Sequence, residues 1–450
     1  MTSAYEWLFS RCLLPGYGLL SPRNRLTGHL REYRRSQWLA PQQLGRLQLD
    51  KLNRLLMHAW QHVPYLQQRW QQLGLERTPL RDVAELAAYP IMTKAEVHDH
   101  YDDLIARPYR GRTYTKTTSG STGEPFRFEM TVESDARRNA VMWRGYEWAG
   151  ARLGRRGAYL WGSDLGAHGF LRIKENLFHA AFNRKMVSCF DMSMQTLPAI
   201  AAQLLGARPA VVVGYVSALT TLASWALEQG VSLRGADSVL TAAEGLRDEQ
   251  RELIGRAFDC AVFNTYGCRE VMLIASECEH RSGLHLNADH LVVETVDDSG
   301  AGVRDAPGRV ILTDLHNYGM PLIRYENGDL AVTATRRCPC ARGLPLLERV
   351  EGRSLDVIRM PGGRMLPGEF FPYLLKDFSW LREFQVIQRE PEHLRLLLVL
   401  RSAGVRPDLD ALRSKLRQAL GSAVAIQIDV VEVIARSASG KLRVTIGCGP

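Results

Sequence analysis

The pattern of apolar and polar residues in the first part of the chain predicts helices. Between residues 49 and 74, apolar side chains recur at the spacing of one helix face. They are Leu52, Leu55, Leu56, Ala59 and Trp60. We therefore expect a helical opening over about residues 1–110.

Further along, short apolar runs alternate with helical patterns. A strand is predicted at 126–129 and a helix at 134–149. Four β-prone runs follow, at 158–161, 210–213, 238–241 and 261–264. Helical patterns lie between them, at 197–205 and 248–258. This alternation is typical of an α/β fold with parallel-rich sheets, in which binding sites lie at strand ends.

The last third of the chain predicts a β-rich region and then a small α+β unit. The clearest strands of the β-rich region are at 292–296 and 308–313. A glycine-containing joint follows at 350–354, and beyond it come strands at 384–387 and 394–400 and a helix at 409–420. We predict a large N-terminal domain over 1–352 and a small C-terminal domain over 353–450.

Size and charge narrow the function classes. A chain of 450 residues with 46% hydrophobic and 23% charged residues can bury a large core in more than one domain. The formal net charge of +9 suits a protein that handles polyanions. The chain lacks zinc-finger spacing, an aromatic RNA-binding signature and a dense basic tail, so we expect no nucleic-acid partner.

Hydropathy and cysteine usage indicate where the protein works. The weakly charged run at 209–227 contains Tyr215, Ser217 and Thr220 and favours a buried strand that turns into a helix, so no membrane span is expected. The start of the chain lacks the features of a signal peptide. The eight cysteines are scattered, which favours a reducing compartment and a cytoplasmic location.

A run of hydroxyls and glycines at 116–125 suggests chemistry with phosphates. Gly120 and Gly123 permit backbone angles that other residues avoid, and successive N–H groups can then surround an anion. The hydroxyls of Ser119, Ser121 and Thr122 add further hydrogen bonds. The Walker pattern is absent from the sequence. An ordinary surface turn is the alternative, and this segment alone does not decide between the two.

Four further motifs follow this segment in a fixed order. They are Tyr-Gly-Cys-Arg-Glu at 266–270, Arg-Tyr-Glu-Asn-Gly-Asp at 324–329, Gly-Arg at 352–353 and Arg-Ser-Ala-Ser-Gly-Lys at 436–441. The series resembles the adenylate-forming superfamily of acyl-CoA ligases, adenylation domains and luciferases. Three more features resemble the phenylacetate-CoA ligase-like branch, including its capsular-polysaccharide-type members. They are the residues at 62–65, 338–343 and 384–388.

This resemblance implies an ATP-dependent, AMP-forming carboxylate ligase with a mobile C-terminal lid domain. Its cofactors would be ATP and Mg²⁺, and its substrate a carboxylic acid, aromatic or short. The acceptor is CoA, an acyl carrier protein or an amine, and a homodimer is left open. Transfer to an amine or hydroxyl, and an ATP-binding protein that has lost catalysis, are the alternative functions.

The resemblance also implies roles for single residues. Ser119 to Thr122 would hold the β- and γ-phosphates, with Thr122 counted among the catalytic residues, and Gly123 would complete the turn. Tyr266 and Gly267 would lie at the adenine, together with the loop of Ala243 and Glu244. The remaining roles are Glu270 for Mg²⁺, Asp329 for the ribose hydroxyls, Arg353 for a ribose or joint contact, and Lys441 for the α-phosphate and the attacking carboxylate.

Each of these residues has a structural alternative, and two positions depart from the pattern. Tyr266 can be a core aromatic, Glu270 and Asp329 caps of turns, and Arg353 and Lys441 surface charges. Arg269 stands where the family has Thr. Leu355 stands at the hinge position of the lid, so adenylation is a firmer expectation than thioester transfer. Two aromatics near predicted strand ends, Trp161 and Tyr215, are candidates for the acyl pocket or for the core.

A structural zinc site is also implied. Some members of the branch tie two loops together with Cys and His ligands, which suit tetrahedral Zn²⁺. The candidates here are Cys278, His285, Cys338 and Cys340. The alternative is that the cysteines are free thiols, because the spacing is not that of a standard zinc finger.

Overall fold

The computed structural model describes most of the chain as two compact units. The described residues are 4–16, 26–117, 126–162, 170–190, 192–351, 358–361, 365–366, 370–375, 377–401, 406–435 and 444–447. The first unit comprises Met1–Lys116, Arg127–Gly154 and Phe263–Gly352. The second comprises Thr117–Phe126, Arg155–Val262 and Arg353–Pro450. One of these divisions coincides with the predicted domain boundary at 352/353. A separate lid domain over 353–450 stays a prediction.

The helices are numbered in chain order. They are α1 Ala4–Leu8, α2 Leu26–Ser36, α3 Pro41–His62, α4 Pro64–Gln72, α5 Lys94–Asp99, α6 Tyr101–Leu104, α7 Val132–Trp148, α8 Phe170–Ala181, α9 Leu197–Gly206, α10 Val216–Glu228, α11 Asp248–Phe258, α12 Phe370–Leu375 and α13 Leu409–Leu420. A π-helical turn at Phe9–Leu13 and 3₁₀ turns at Val83–Ala88 and Arg107–Tyr109 complete the set.

The strands are numbered in the same way. They are β1 Tyr114–Thr117, β2 Arg127–Met130, β3 Gly157–Trp161, β4 Arg184–Ser188, β5 Val211–Tyr215, β6 Ser238–Ala242, β7 Ala261–Cys268, β8 Met272–Glu277, β9 Leu284–Leu286, β10 Leu291–Val296, β11 Pro307–Asp314, β12 Tyr325–Ala334, β13 Leu346–Glu351, β14 Ile358–Arg359, β15 Met365–Leu366, β16 Leu381–Glu390, β17 His393–Leu400, β18 Ala425–Val430 and β19 Thr445–Ile446.

The first unit joins the opening helices to an antiparallel sheet. Its strands follow the order β10-β11-β12-β13-β9-β8-β7, and adjacent strands in this order pair antiparallel. The predicted apolar face of the opening is confirmed, since Leu52, Leu55 and Ala59 are fully buried. The helical pattern at 49–74 is, however, broken into α3 and α4. The break falls at Val63, which is extended because Pro64 follows it.

The second unit contains a parallel sheet and the C-terminal α+β region. The parallel strands follow the order β6-β5-β3-β4, so their carboxyl ends share one edge. All five residues of β5 are buried, and α10 starts directly after it, as the hydropathy of this run predicts. The C-terminal sheet has the order β18-β17-β16-β19. The rings of Phe190 and Phe370 meet edge to face at 5.3 Å.

These observations confirm the predicted fold class. A parallel sheet, a β-rich region and a small C-terminal α+β region are all present, and the strands and helices fall within a few residues of their predicted positions. Within the described part of the chain, no helix has both the length and the apolar character needed to cross a bilayer.

Candidate nucleotide site and metal centre

The predicted adenine and magnesium residues lie on one tight hairpin of the first unit. Strand β7 carries Tyr266 and ends at Cys268, which pairs with Met272 at the start of β8. Gly267 has no room for a side chain, because a Cβ atom there would lie 2.0 Å from the carbonyl oxygen of Met272. The hairpin therefore closes tightly and places Glu270 in its loop.

Glu270 is a buried and ionised carboxylate. Its residue is 5% exposed, and its Oε1 accepts a hydrogen bond of 3.0 Å from the Tyr325 hydroxyl. Burial opposes ionisation of Glu270, but the positive charge of Lys94 and hydrogen bonds outweigh it and hold the pKa below its usual value. An ionised, hard oxygen ligand is what Mg²⁺ requires.

Backbone hydrogen bonds connect the segment before Lys94 to the strand that carries Tyr325. Met92 forms a parallel bridge with Tyr325. The Met92 amide donates to the Arg324 carbonyl, and the Glu326 amide donates to the Met92 carbonyl, both at 2.9 Å. Neither Lys94 nor Tyr325 was predicted as a site residue. Tyr325 lies inside a motif that was recognised, whereas Lys94 becomes relevant only through long-range pairing.

Tyr266 and Asp329 are in direct contact. The Tyr266 hydroxyl donates to Asp329 Oδ2 at 2.9 Å, and the Asn327 amide donates to both groups at 2.9 and 2.8 Å. Burial raises the pKa of Tyr266 well above its usual value, and the Asp329 charge adds to this effect, so the hydroxyl stays a donor. The structure therefore joins the predicted adenine residue to the predicted ribose residue. Asn327, which bonds to both of these residues, was not predicted as a site residue.

Arg269, which stands where the family has Thr, differs from Glu270 in its exposure to solvent. Its side chain is exposed, whereas that of Glu270 is buried. The Arg269 carbonyl accepts a hydrogen bond from the Arg138 guanidinium, which lies on α7 and is 1% exposed. Arg138 is a further residue in contact with the hairpin that the sequence motifs did not point to.

The predicted adenine-side loop begins where β6 ends in the second unit. Ala243 has a φ of 68°, which is unusual for a residue other than glycine, and Glu244 follows it. Glu244 Oε2 lies 2.5 Å from the Ser217 amide nitrogen, and Oε1 lies 2.8 Å from the Ser217 hydroxyl. Both bonds run to the start of α10. The two candidates for the acyl pocket, Trp161 and Tyr215, have ring centroids 4.3 Å apart.

The remaining predicted nucleotide residues fall outside the described part of the chain. They are Ser119, Gly120, Ser121, Thr122, Gly123, Arg353 and Lys441, and the hinge candidate Leu355 lies outside as well. Strands β1 and β2 lie on either side of the phosphate segment and pair with each other. The predicted strand at 126–129 is observed as Arg127–Met130.

All four predicted zinc ligands come together in the first unit. Cys278 follows β8, His285 lies in β9, and Cys338 and Cys340 lie in the loop between β12 and β13. Their ligand atoms all lie within 4.8 Å of one another. The Sγ atoms of Cys278 and Cys338 are 3.6 Å apart, and Cys340 Sγ is 3.2 Å from His285 Nε2.

The surroundings of this cluster suit a tetrahedral metal site. Two thiolates on zinc at about 2.3 Å stand about 3.8 Å apart, close to the observed separation of the sulfurs. His285 Nδ1 faces the Leu344 carbonyl at 3.4 Å, which directs Nε2 towards the thiols. Burial lowers the pKa of His285 to about 4, so the imidazole is neutral, the form that binds metals.

Known proteins resemble the chain in sequence and in fold. Phenylacetate-coenzyme A ligase of Thermus thermophilus is 26% identical over 361 residues, which cover 78% of this chain and 79% of the relative. The chain is a relative of the phenylacetate-CoA ligases. Protein CapK of Staphylococcus aureus is 24% identical over 251 residues, covering 55% of this chain and 54% of CapK, and a family described as the CapK C-terminal domain matches residues 361–447.

A solved structure resembles this chain over nearly the whole length of both proteins. The 2-hydroxyisobutyryl-CoA ligase in complex with 2-HIB-AMP and CoA superposes with a TM-score of 0.63 at 20% identity, covering 92% of this chain and 91% of that ligase. The chain thus has the fold of adenylate-forming CoA ligases, as the ordered motifs predict.

Proposed function

We propose that this protein is an ATP-dependent, AMP-forming carboxylate ligase that transfers its acyl group to a thiol. The observation that carries the proposal is the hairpin of the first unit. It places a buried, ionised Glu270 four residues after Tyr266, which is itself hydrogen-bonded to Asp329. The relatives named phenylacetate-coenzyme A ligase support CoA as the thiol and an aromatic or short acid as the substrate.

The reaction has two steps. A carboxylate oxygen of the acid attacks the α-phosphorus of ATP, the bond to the β-phosphate oxygen breaks, and pyrophosphate leaves. The thiol then attacks the acyl carbon of the acyl adenylate, loses its proton, and AMP leaves. Such phosphoryl transfer depends chiefly on positioning and charge stabilisation.

The described residues suit parts of this task. Glu270 would hold Mg²⁺, which when bound would neutralise phosphate charge. Asp329, fixed by Asn327 and Tyr266, would accept hydrogen bonds from the ribose hydroxyls. The backbone of residues 243–245 would meet the adenine. Ser119 to Thr122 would bind the β- and γ-phosphates, and Lys441 would stabilise the charge that develops at the α-phosphate.

We also propose that Cys278, His285, Cys338 and Cys340 bind a structural Zn²⁺. Three thiols and a neutral imidazole are the donors that zinc prefers, and their separations match a tetrahedral site. All four residues are needed to close the shell, which leaves no position for a substrate. The metal would hold β9 and the loop between β12 and β13 together. The scattered remaining cysteines support a cytoplasmic setting.

Carboxylate-dependent exchange of pyrophosphate into ATP tests the function. We expect exchange with at least one acid in a panel of aromatic and short carboxylates, and faster AMP release when CoA is added. No exchange across the panel would contradict adenylation. Acceleration of AMP release by an amine but not by CoA would replace the thiol with an amine as the acceptor.

Lys441→Ala tests the role of the C-terminal lysine. We expect the exchange rate to fall by about 10²-fold, the usual effect of removing one group that stabilises transition-state charge. The melting temperature should not change, because the role proposed for this lysine lies in the reaction and not in the core of the fold. Lys415→Ala is the matched control, since its exposed ion pair with Asp377 should matter to neither readout. Equal exchange rates in the two variants would remove Lys441 from the mechanism.

A further inference from the structure

The loop after β6 leaves the parallel sheet at the edge where ligands bind in such folds. Strands β5 and β6 run parallel, with Tyr215 paired to Ala242. The segments that follow the two strands therefore leave the sheet side by side. One continues as α10 and the other as the loop of residues 243–245. Ligands of open parallel sheets bind at the carboxyl ends of the strands.

The start of α10 lacks a cap of its own. Tyr215 occupies the N-cap position and makes no side-chain hydrogen bond to the first turn. The N–H groups of a first helical turn have no partner within the helix and need an acceptor. Glu244 supplies one from the neighbouring strand, with one oxygen on the Ser217 amide and the other on the Ser217 hydroxyl.

These two bonds direct the Glu244 carboxylate to the helix. Both of its oxygens accept from Ser217, at 2.5 and 2.8 Å. The preceding residue, Ala243, is held at a φ of 68°, a strained conformation that persists where the surroundings enforce it. The carboxylate thus fixes the loop from the side of α10.

We infer that Glu244 is a positioning residue, which fixes the loop of residues 243–245 through Ser217 so that the backbone of the loop, and not the carboxylate, meets the adenine. This inference rests on the proposed function. It assigns Ser217 to the same task, as the group on α10 that receives the carboxylate.

The protonation of Glu244 gives this arrangement a measurable signature. Burial raises the pKa of Glu244 to about 7, against the hydrogen bonds from Ser217, which favour the ionised form. Among the described residues, a titratable group that interacts with Glu244 is the buried Cys189 thiol just after β4, whose own pKa is raised by burial and by the Glu244 charge. An ionised Glu244 accepts hydrogen bonds from both the N–H and the hydroxyl of Ser217. A protonated Glu244 carries a hydrogen on one oxygen, so that oxygen no longer accepts well and one of the two bonds is weakened. The loop is therefore held best above about pH 7.

The test compares Glu244→Gln, Glu244→Ala and Ser217→Ala with the wild type. Adenosine is the probe in calorimetry, because it does not titrate between about pH 6 and about pH 8. We expect wild-type affinity to fall about threefold as the pH drops across this range, and the Gln variant to stay at the lower value throughout. The Ala variant of Glu244 should bind about tenfold more weakly, since it loses bonds to a charged group. Ser217→Ala should lie between the two.

Glu228→Gln is the matched control. Glu228 accepts a hydrogen bond from Ser224 at 3.0 Å on the exposed side of the same helix, so it forms the same kind of pair away from the strand edge. It should keep the wild-type affinity and pH profile. A role in stability alone would lower the melting temperature of the Glu244 variants and leave adenosine affinity and its pH profile unchanged, which would overturn the inference.

Pyrophosphate exchange separates this inference from the proposed function. If the wild type binds adenosine but exchanges no pyrophosphate, the proposed function is wrong and the affinities still decide the role of Glu244. If it exchanges pyrophosphate, we expect Glu244→Ala to raise the KM for ATP with little change in kcat. Unchanged affinities in all three variants, or no adenosine binding by the wild type, would overturn the inference.

Discussion

Glu270→Gln is expected to lower the rate of pyrophosphate exchange by about 10³-fold at saturating ATP, near the upper end of what one electrostatic group contributes. The glutamine side chain keeps the volume of glutamate and an oxygen that can accept from Tyr325. It loses the charge that would hold Mg²⁺. The free energy of unfolding should therefore change by only about 1 kcal/mol. Raising the Mg²⁺ concentration should restore part of the activity, which a purely structural role would not allow.

Glu277→Gln is the matched control for this experiment. Glu277 is a buried carboxylate on the same hairpin, 3% exposed, and it accepts a hydrogen bond of 2.7 Å from the backbone N–H of Asn264. Its replacement should lower the free energy of unfolding. The dependence of the exchange rate on Mg²⁺ concentration should stay as in the wild type. If both variants lose activity equally, with unchanged Mg²⁺ dependence, Glu270 is a structural residue.

Removal of zinc is expected to lower stability strongly. Purified protein should contain one zinc ion per chain. Cys338→Ser should abolish zinc binding and reduce the free energy of unfolding by about 3 kcal/mol or more, because structural zinc adds its binding free energy to folding. In a unit of this size that corresponds to a fall of about 6–12 °C in melting temperature. A chelator should have the same effect on the wild type and none on the variant.

Cys12→Ser controls for the general loss of a thiol. Cys12 is exposed and lies far along the chain from the four clustered ligands, so its replacement should leave metal content and melting temperature unchanged. Wild-type protein without zinc, and with a melting temperature that a chelator does not alter, would show that the cluster consists of free thiols.

Local patterns predicted most elements of this fold but not their long-range pairing. The helices at 248–258 and 409–420 were predicted at their observed bounds, because apolar spacing and caps are local signals. The break between α3 and α4 was missed although Pro64 is a recognised helix signal. The pairing of β9 with β13, which join residues about 60 positions apart, has no local signal at all.

The same limit applies to the candidate site. Cys278, His285, Cys338 and Cys340 were grouped through a family resemblance, and the structure brings them together. Lys94 was missed because its relation to Glu270 depends on the bridge between Met92 and Tyr325. Tyr325 lies in a recognised motif, but its hydrogen bond to Glu270 joins residues 55 positions apart and has no local signal. The bond between Glu244 and Ser217 depends on the register of two parallel strands, which sequence periodicity does not fix.

The close approach of Gly267 to Met272 also limits how such an enzyme can evolve. Any mutation at position 267 would separate the two arms of the hairpin, so this site should tolerate almost no variation. Selection for new substrates or partners must therefore act on other residues of the nucleotide site, while the glycine at this position stays invariant.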